Sequence, residues 1–212
     1  MLPLDLVILS HYHGDHFDPV VQQKLNKRLP IVTNSAAAKA LKAKGFEHII
    51  VLETWETLPA TKGNATLKIT ALPGRHGPGL LTLALPPVMG SLLEFSSGNK
   101  TPLLRLYITG DTLLYEDLRE IPRRYPEIDI ALLHLGGTRI MGLMLTMDGR
   151  QRVVKLIQPR TAIPIHYNDY PVFKSSLADF KERVRAAGLE KQVHYLNHGE
   201  TFNFVVPTER LE

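Results

Sequence analysis

The chain has 212 residues, 44% hydrophobic and 22% charged, proportions that suit a globular protein and exclude a disordered or fibrous one. Cysteine is absent, which excludes disulfides and thiolate chemistry and leaves His, Asp and Glu to build any metal site. The formal charge of +4 is spread along the chain without a basic block, so it neither implies nor excludes nucleic acid, and the length suits one domain over 1–212.

Residues 4–10 are a nearly continuous apolar run ending in a polar cluster, the pattern of a strand buried on both faces. The run lacks a basic leading segment and is interrupted by Asp5, so it reads as a strand and not as a secretory signal. No apolar run reaches the roughly 18 to 20 residues of a membrane helix, and a soluble, cytoplasmic protein is expected. A helix is predicted from Asp18 and Pro19 to about Arg28, then a strand over 30–33. Ser35 is the expected cap of an alanine-rich helix over 36–44 that Gly45 closes. Strands follow at 49–52 and, after the Lys62-Gly63-Asn64 turn, at 65–72. Residues 92–95 and 103–109 flank a turn at 96–100 and read as a hairpin. Helices are predicted over 115–124, 149–157 and 176–187, with Gly188 as a stop, and strands over 128–134, 161–165, 192–196 and 201–206. The sum is an α/β fold with helices on the outer faces of its sheets.

His11-Tyr12-His13-Gly14-Asp15-His16 places three imidazoles and a carboxylate within six residues, where an apolar strand ends. Neutral imidazoles and carboxylates suit Zn²⁺ and other first-row divalent ions, and the set is too rich in nitrogen for Ca²⁺ or Mg²⁺. Side chains two apart at a strand end point the same way, so His11 and His13 can share one ion while Asp15 and His16, round the turn, face a second. Three further candidates each follow an apolar run: His76, Asp111 in Gly110-Asp111-Thr112, and His166. His134 ends a predicted strand beside Leu135-Gly136-Gly137, where glycines allow close approach, and is a candidate substrate contact. Tyr167, next to His166, is a second such candidate through its hydroxyl, with a buried structural role as the alternative. Arg75 and Arg139 are candidates for binding an anionic group on the substrate, with an ordinary surface Arg as the equal alternative for each. Residues 79–90 read either as a packed loop or as an apolar mouth.

The ordered pattern H-x-H-x-D-H, a lone His, G-D-T after a strand, and a lone late His resembles the metallo-β-lactamase superfamily over almost the whole chain. The flanking segments at 103–112 and 130–137 are most similar to its ascorbate-phosphate lactonase-like and N-acyl-phosphatidylethanolamine phospholipase-like branch. The resemblance implies an αββα sandwich and two divalent ions, zinc by default with Mn²⁺ or Fe²⁺ also fitting. It implies that His11, His13 and His76 hold one ion, that Asp15, His16 and His166 hold the other, and that Asp111 bridges them. Members of this family usually place several strands before the metal motif. Here only ten residues precede His11, so the fold is expected to lack its usual first strands, and an exposed edge of that kind favours a homo-oligomer.

What the resemblance implies chemically is a binuclear hydrolase. A water shared by two ions is acidified toward neutral pH and attacks an ester, lactone or phosphodiester bond, with Asp15 and Asp111 as the catalytic carboxylates. The expected substrate is a small or lipid-like molecule. The alternative is a metal-binding but inactive remnant that serves as an interaction module. An RNA-processing nuclease ranks behind both, because no inserted nucleic-acid-binding segment is apparent.

Overall fold

A computed structural model describes residues 4–79, 81–98, 101–136, 138–140, 143–145, 150–167 and 176–211. Two sheets face each other, each with helices on its outer side. The smaller is parallel, in the order β1 (Val7–Ile8), β2 (Ile31–Thr33), β3 (Ile49–Val51). The larger has six strands and includes β4 (Thr57–Lys62), β5 (Ala65–Leu72), β6 (Gly90–Ser97) and β7 (Leu104–Ile108), which pair antiparallel with one another. It continues from β7 through β8 (Ile130–His134) to β11 (Thr161–Ile165) in parallel pairing. A separate ribbon joins β9 (Thr138–Ile140) to β10 (Leu143–Leu145).

Alternation along the strands sorts side chains into three layers. Ile69, Ala71, Leu93 and Met89 fill the space between the sheets with Val32 and Leu52, and Ile8, Leu106 and Ile108 pack against them. Their sequence neighbours Leu72, Leu92 and Tyr107 point the other way. There they meet Ile121 of α4 (Glu120–Arg124), Val153, Val154 and Ile157 of α5 (Arg150–Ile157), and Phe180 and Val184 of α6 (Leu177–Ala186). On the far side of the small sheet, Leu9 and Ile31 bury against Ala37 and Leu41 of α2 (Ser35–Ala43), with Phe17 and Phe46 closing the cluster. At about 1.5–3 kcal/mol for each large side chain fully buried, these three layers supply the main force holding the sandwich together. This is the αββα arrangement that the family resemblance implies.

Several sequence expectations need correction. Among the described residues the run over 4–10 forms a ladder only at Val7–Ile8, extended by Leu9 N–H donating to Val32 O, against the three-residue β2. It is covered on both faces, Val7 and Leu9 packing on the α2 side and Leu6 and Ile8 between the sheets, but at the sheet edge only Leu9 is fully buried and Leu4 is exposed. The helix after Asp18, α1 (Pro19–Lys24), stops short of Arg28. Asn34, and not Ser35, caps α2: its Oδ1 accepts from Ala37 N–H at 2.9 Å, while its Nδ2 donates to Ser10 O and Pro87 O. A hydroxyl cannot do all three. β4 is a strand the sequence reading lacks, masked by Pro59, which an edge strand tolerates. The helix over 115–124 begins as a 3-10 turn at Glu116–Arg119. Among the described residues, 192–196 form only a single bridge, Val193 to Ala162, and 201–206 alternate between half-buried and exposed without a ladder partner. Residue 149 and Gly137 lie outside the described residues, as does the side chain of Arg139.

Candidate metal centre

Topology brings the candidate ligands together. Residues 11–16 follow β1, and His76 follows β5. Asp111 follows β7 and His166 follows β11, so these two leave the C-terminal ends of parallel strands that flank β8. Ser10 O accepts from Met89 N–H at 2.9 Å and from Asn34 Nδ2, tying the start of the histidine turn to both sheets. Within the turn, His13 O accepts from His16 N–H and Phe17 N–H. Thr112 Oγ1 accepts from Arg75 N–H at 2.8 Å, and Leu113 N–H donates to Arg75 O at 2.7 Å, lacing the His76 loop to the Asp111 loop.

Two glycines make these approaches possible. Gly110 has φ +60°, and a Cβ there would lie 2.9 Å from Val88 Cγ1 and 3.1 Å from Ser10 Cβ. A Cβ at Gly74 would meet Val88 O at 2.6 Å. His166 itself has φ 55°, a left-handed conformation that costs a non-glycine residue roughly 1 kcal/mol or more.

The side chains form two groups. His11, His13 and His76 place ring nitrogens within 4.8 Å of one another, and Asp15, His16, Asp111 and His166 bring carboxylate oxygens and ring nitrogens within the same distance. Asp111 Oδ2 lies between them, 3.9 Å from His11 Nε2, 3.2 Å from His16 Nε2 and 3.8 Å from His166 Nε2. His166 Nε2 is also 3.4 Å from Asp15 Oδ2. His76 Nδ1 faces Pro86 O at 3.3 Å; a carbonyl only accepts, so the proton sits on Nδ1 and Nε2 keeps its lone pair. His11 Nδ1 is likewise 2.9 Å from Ser10 Oγ, which leaves Nε2 for a ligand. That buried Nε2 has no hydrogen-bond partner among the described residues, as expected of an atom placed to bind a cation.

Protonation suits the same purpose. Burial, aided by the His16 imidazole, pushes His11 down to about 3, and burial also lowers His76, so both are neutral at pH 7. The His166 contact holds Asp15 at about 2. Burial alone would raise Asp111, but the imidazoles of His16, His134 and His11 outweigh it and hold the carboxyl below the usual carboxylate range. His11 and His76 therefore offer neutral imidazoles beside the ionised carboxylates of Asp15 and Asp111, a donor chemistry that fits first-row divalent cations.

A cavity of about 200 Å³ adjoins the cluster, with Asp111, His134 and His166 at its polar wall and Ile8, Met89 and Ile108 at its apolar wall. His134 is 7% exposed and lines it. The Tyr167 hydroxyl donates to Leu196 O at 3.5 Å, its ring packs on the outer core, and it is not among the cavity residues. Arg75 stacks on the Tyr115 ring, 4.3 Å away. The 79–90 segment supplies Pro86 O to His76 and Met89 to the cavity, a placement that depends on tertiary contacts and has no sequence signal.

The family model for the beta-lactamase superfamily domain matches residues 1–167. A UPF0173 metal-dependent hydrolase of Alkaliphilus metalliredigens is 32% identical over 204 residues, covering 93% of this chain and 81% of the relative. Another from Archaeoglobus fulgidus is 26% identical over 207 residues, covering 94% and 82%. In fold, the chain is similar to an isothiocyanate hydrolase from Delia radicum gut bacteria (TM-score 0.76, 24% identity, covering 95% of this chain and 77% of that one). It is also similar to a possible metal-dependent hydrolase from Veillonella parvula (TM-score 0.74, 22% identity, covering 95% and 76%). The chain thus belongs to the beta-lactamase superfamily and, within it, to the UPF0173 metal-dependent hydrolases.

Proposed function

We propose that the chain is a binuclear hydrolase that cleaves an ester, lactone or phosphodiester bond in a small molecule, with zinc as the resident metal and Mn²⁺ or Fe²⁺ able to occupy the same donors. The observation that carries this reading is the pair of ligand groups meeting at Asp111 Oδ2. His11, His13 and His76 would hold one ion, Asp15, His16 and His166 the other, and Asp111 would span both. Bound ions supply Lewis acidity and lower the pKa of water toward about 7.

The chain's own residues do the rest. Asp15 and Asp111 stay ionised across the working pH range, so they act by charge and not by carrying protons. Ser10 Oγ and Pro86 O fix the ring orientations of His11 and His76. The cavity, with polar and apolar walls, suits a small substrate that carries one attackable polar centre. His134 lines that cavity and is the better placed of the two substrate-contact candidates, since the Tyr167 hydroxyl is engaged by Leu196.

The test is a panel of activated acetate, γ-lactone and bis-aryl phosphodiester substrates with the zinc-loaded protein. Turnover of at least one class is expected. Joint replacement Asp15→Ala and His16→Ala should reduce it by more than the roughly 100-fold that loss of an outer-shell partner brings. Turnover that survives the double replacement would refute the assignment.

A further inference from the structure

His134 has a second face. It is the last residue of β8, the strand that lies between β7 and β11, so it projects between the Asp111 loop and the His166 loop. Its register is fixed on the β11 side by pairing opposite Ile165, and its backbone N–H donates to Thr109 Oγ1 at 3.0 Å, two residues before Asp111. Its ring packs against that of His166, with centroids 5.2 Å apart. From there Nδ1 reaches to 3.3 Å from Asp111 Oδ1.

The two oxygens of Asp111 therefore face different surroundings. Oδ2 is turned to His11, His16 and His166, while Oδ1 is turned to His134. A carboxylate is free to rotate about its Cβ–Cγ bond, and rotation would exchange the two oxygens or set both askew. A polar group set against Oδ1 biases that rotation. We propose that His134 is a positioning residue for Asp111: its Nδ1, set 3.3 Å from Oδ1, holds that oxygen aside and presents Oδ2 to the two metal positions. This inference rests on the metal centre proposed above. It gives His134 a role in metal affinity that exists before any substrate arrives.

An Asn side chain places its amide nitrogen near the Nδ1 position of histidine, whereas a Gln amide reaches nearer the Nε2 position. Metal binding should separate the two. The experiment titrates the apo forms of wild type, His134→Asn, His134→Gln and His134→Leu with Zn²⁺ against a chromophoric chelator, with circular dichroism to confirm folding. His134→Leu and His134→Gln should bind at least one equivalent about 10- to 100-fold more weakly than wild type, and His134→Asn should recover to within a few-fold. If His134→Leu does not fold, the Asn and Gln pair decides. Equal zinc affinity in wild type, His134→Gln and His134→Asn would overturn the positioning role while leaving the metal centre standing. A wild-type chain that takes up no zinc would overturn both.

Discussion

At the scale of single residues, the centre is built from side chains held in unfavourable states until a cation arrives. Burial keeps His11 and His76 neutral, which costs the apo protein stability wherever the unfolded chain would protonate them. The sign is set by the lowered values: the unfolded chain binds more protons between 6.5 and about 3, so apo stability falls as pH drops through that window. Urea unfolding of the apo protein at pH 7 and pH 5 should show the loss, with a slope of up to about 1.4 kcal/mol per pH unit from His11 and a contribution of the same sign from His76. Asp15 adds a further loss as pH falls from 3.8 toward about 2. An apo stability unchanged between pH 7 and pH 5 would contradict the buried neutral state. His166 carries strain of a different kind, with φ at 55°. His166→Gly should leave the apo fold within about 1 kcal/mol of wild type, or more stable, while removing one equivalent of bound metal. Thermal melts and metal analysis of the same sample check both halves.

At the scale of elements, the strands deliver chemistry at their C-terminal ends and anchors at the opposite end. The C-terminal 3-10 turn Thr208–Arg210 shows the second point. The buried Arg210 guanidinium donates through Nη1 to Asp129 Oδ2 at 2.6 Å, and the same oxygen accepts from Arg105 N–H at 2.7 Å. Arg160 Nε lies 3.5 Å from the other oxygen. Arg210→Ala would leave the fully buried Asp129 with its closest cation gone, and a loss of about 3 kcal/mol in stability is expected, measured by urea unfolding. Metal content should be unchanged, because the pair sits before β8 and the ligands sit after their strands. Element identity was legible wherever periodicity and punctuation agreed, as at 65–72 and 161–165, which match β5 and β11 to the residue. It failed where a local signal misled. Pro59 hid β4, Ser35 stood next to the better cap Asn34, and the alternation at 201–206 reflected a surface contact without a ladder.

Across the whole molecule, the site draws on residues 11–16, 76, 111 and 166, brought together from both sheets, so it can exist only in the assembled fold. Metal binding and folding are then linked, and any ion held by the native state stabilises it. The described residues contain no helix long and apolar enough to cross a membrane. The candidate ligands could be named from sequence because ligand types at strand ends form a compact, ordered pattern. Their supports could not. Pro86 O on His76 and His134 Nδ1 on Asp111 both depend on which loops become neighbours, and residue spacing carries no record of that. The measurement that tests the central claim most directly is metal stoichiometry per chain, by elemental mass spectrometry, on untagged protein purified without chelator. The account predicts about two equivalents of Zn, Mn or Fe. A chain that takes up none, or stops at one, after incubation with excess of each metal would contradict it.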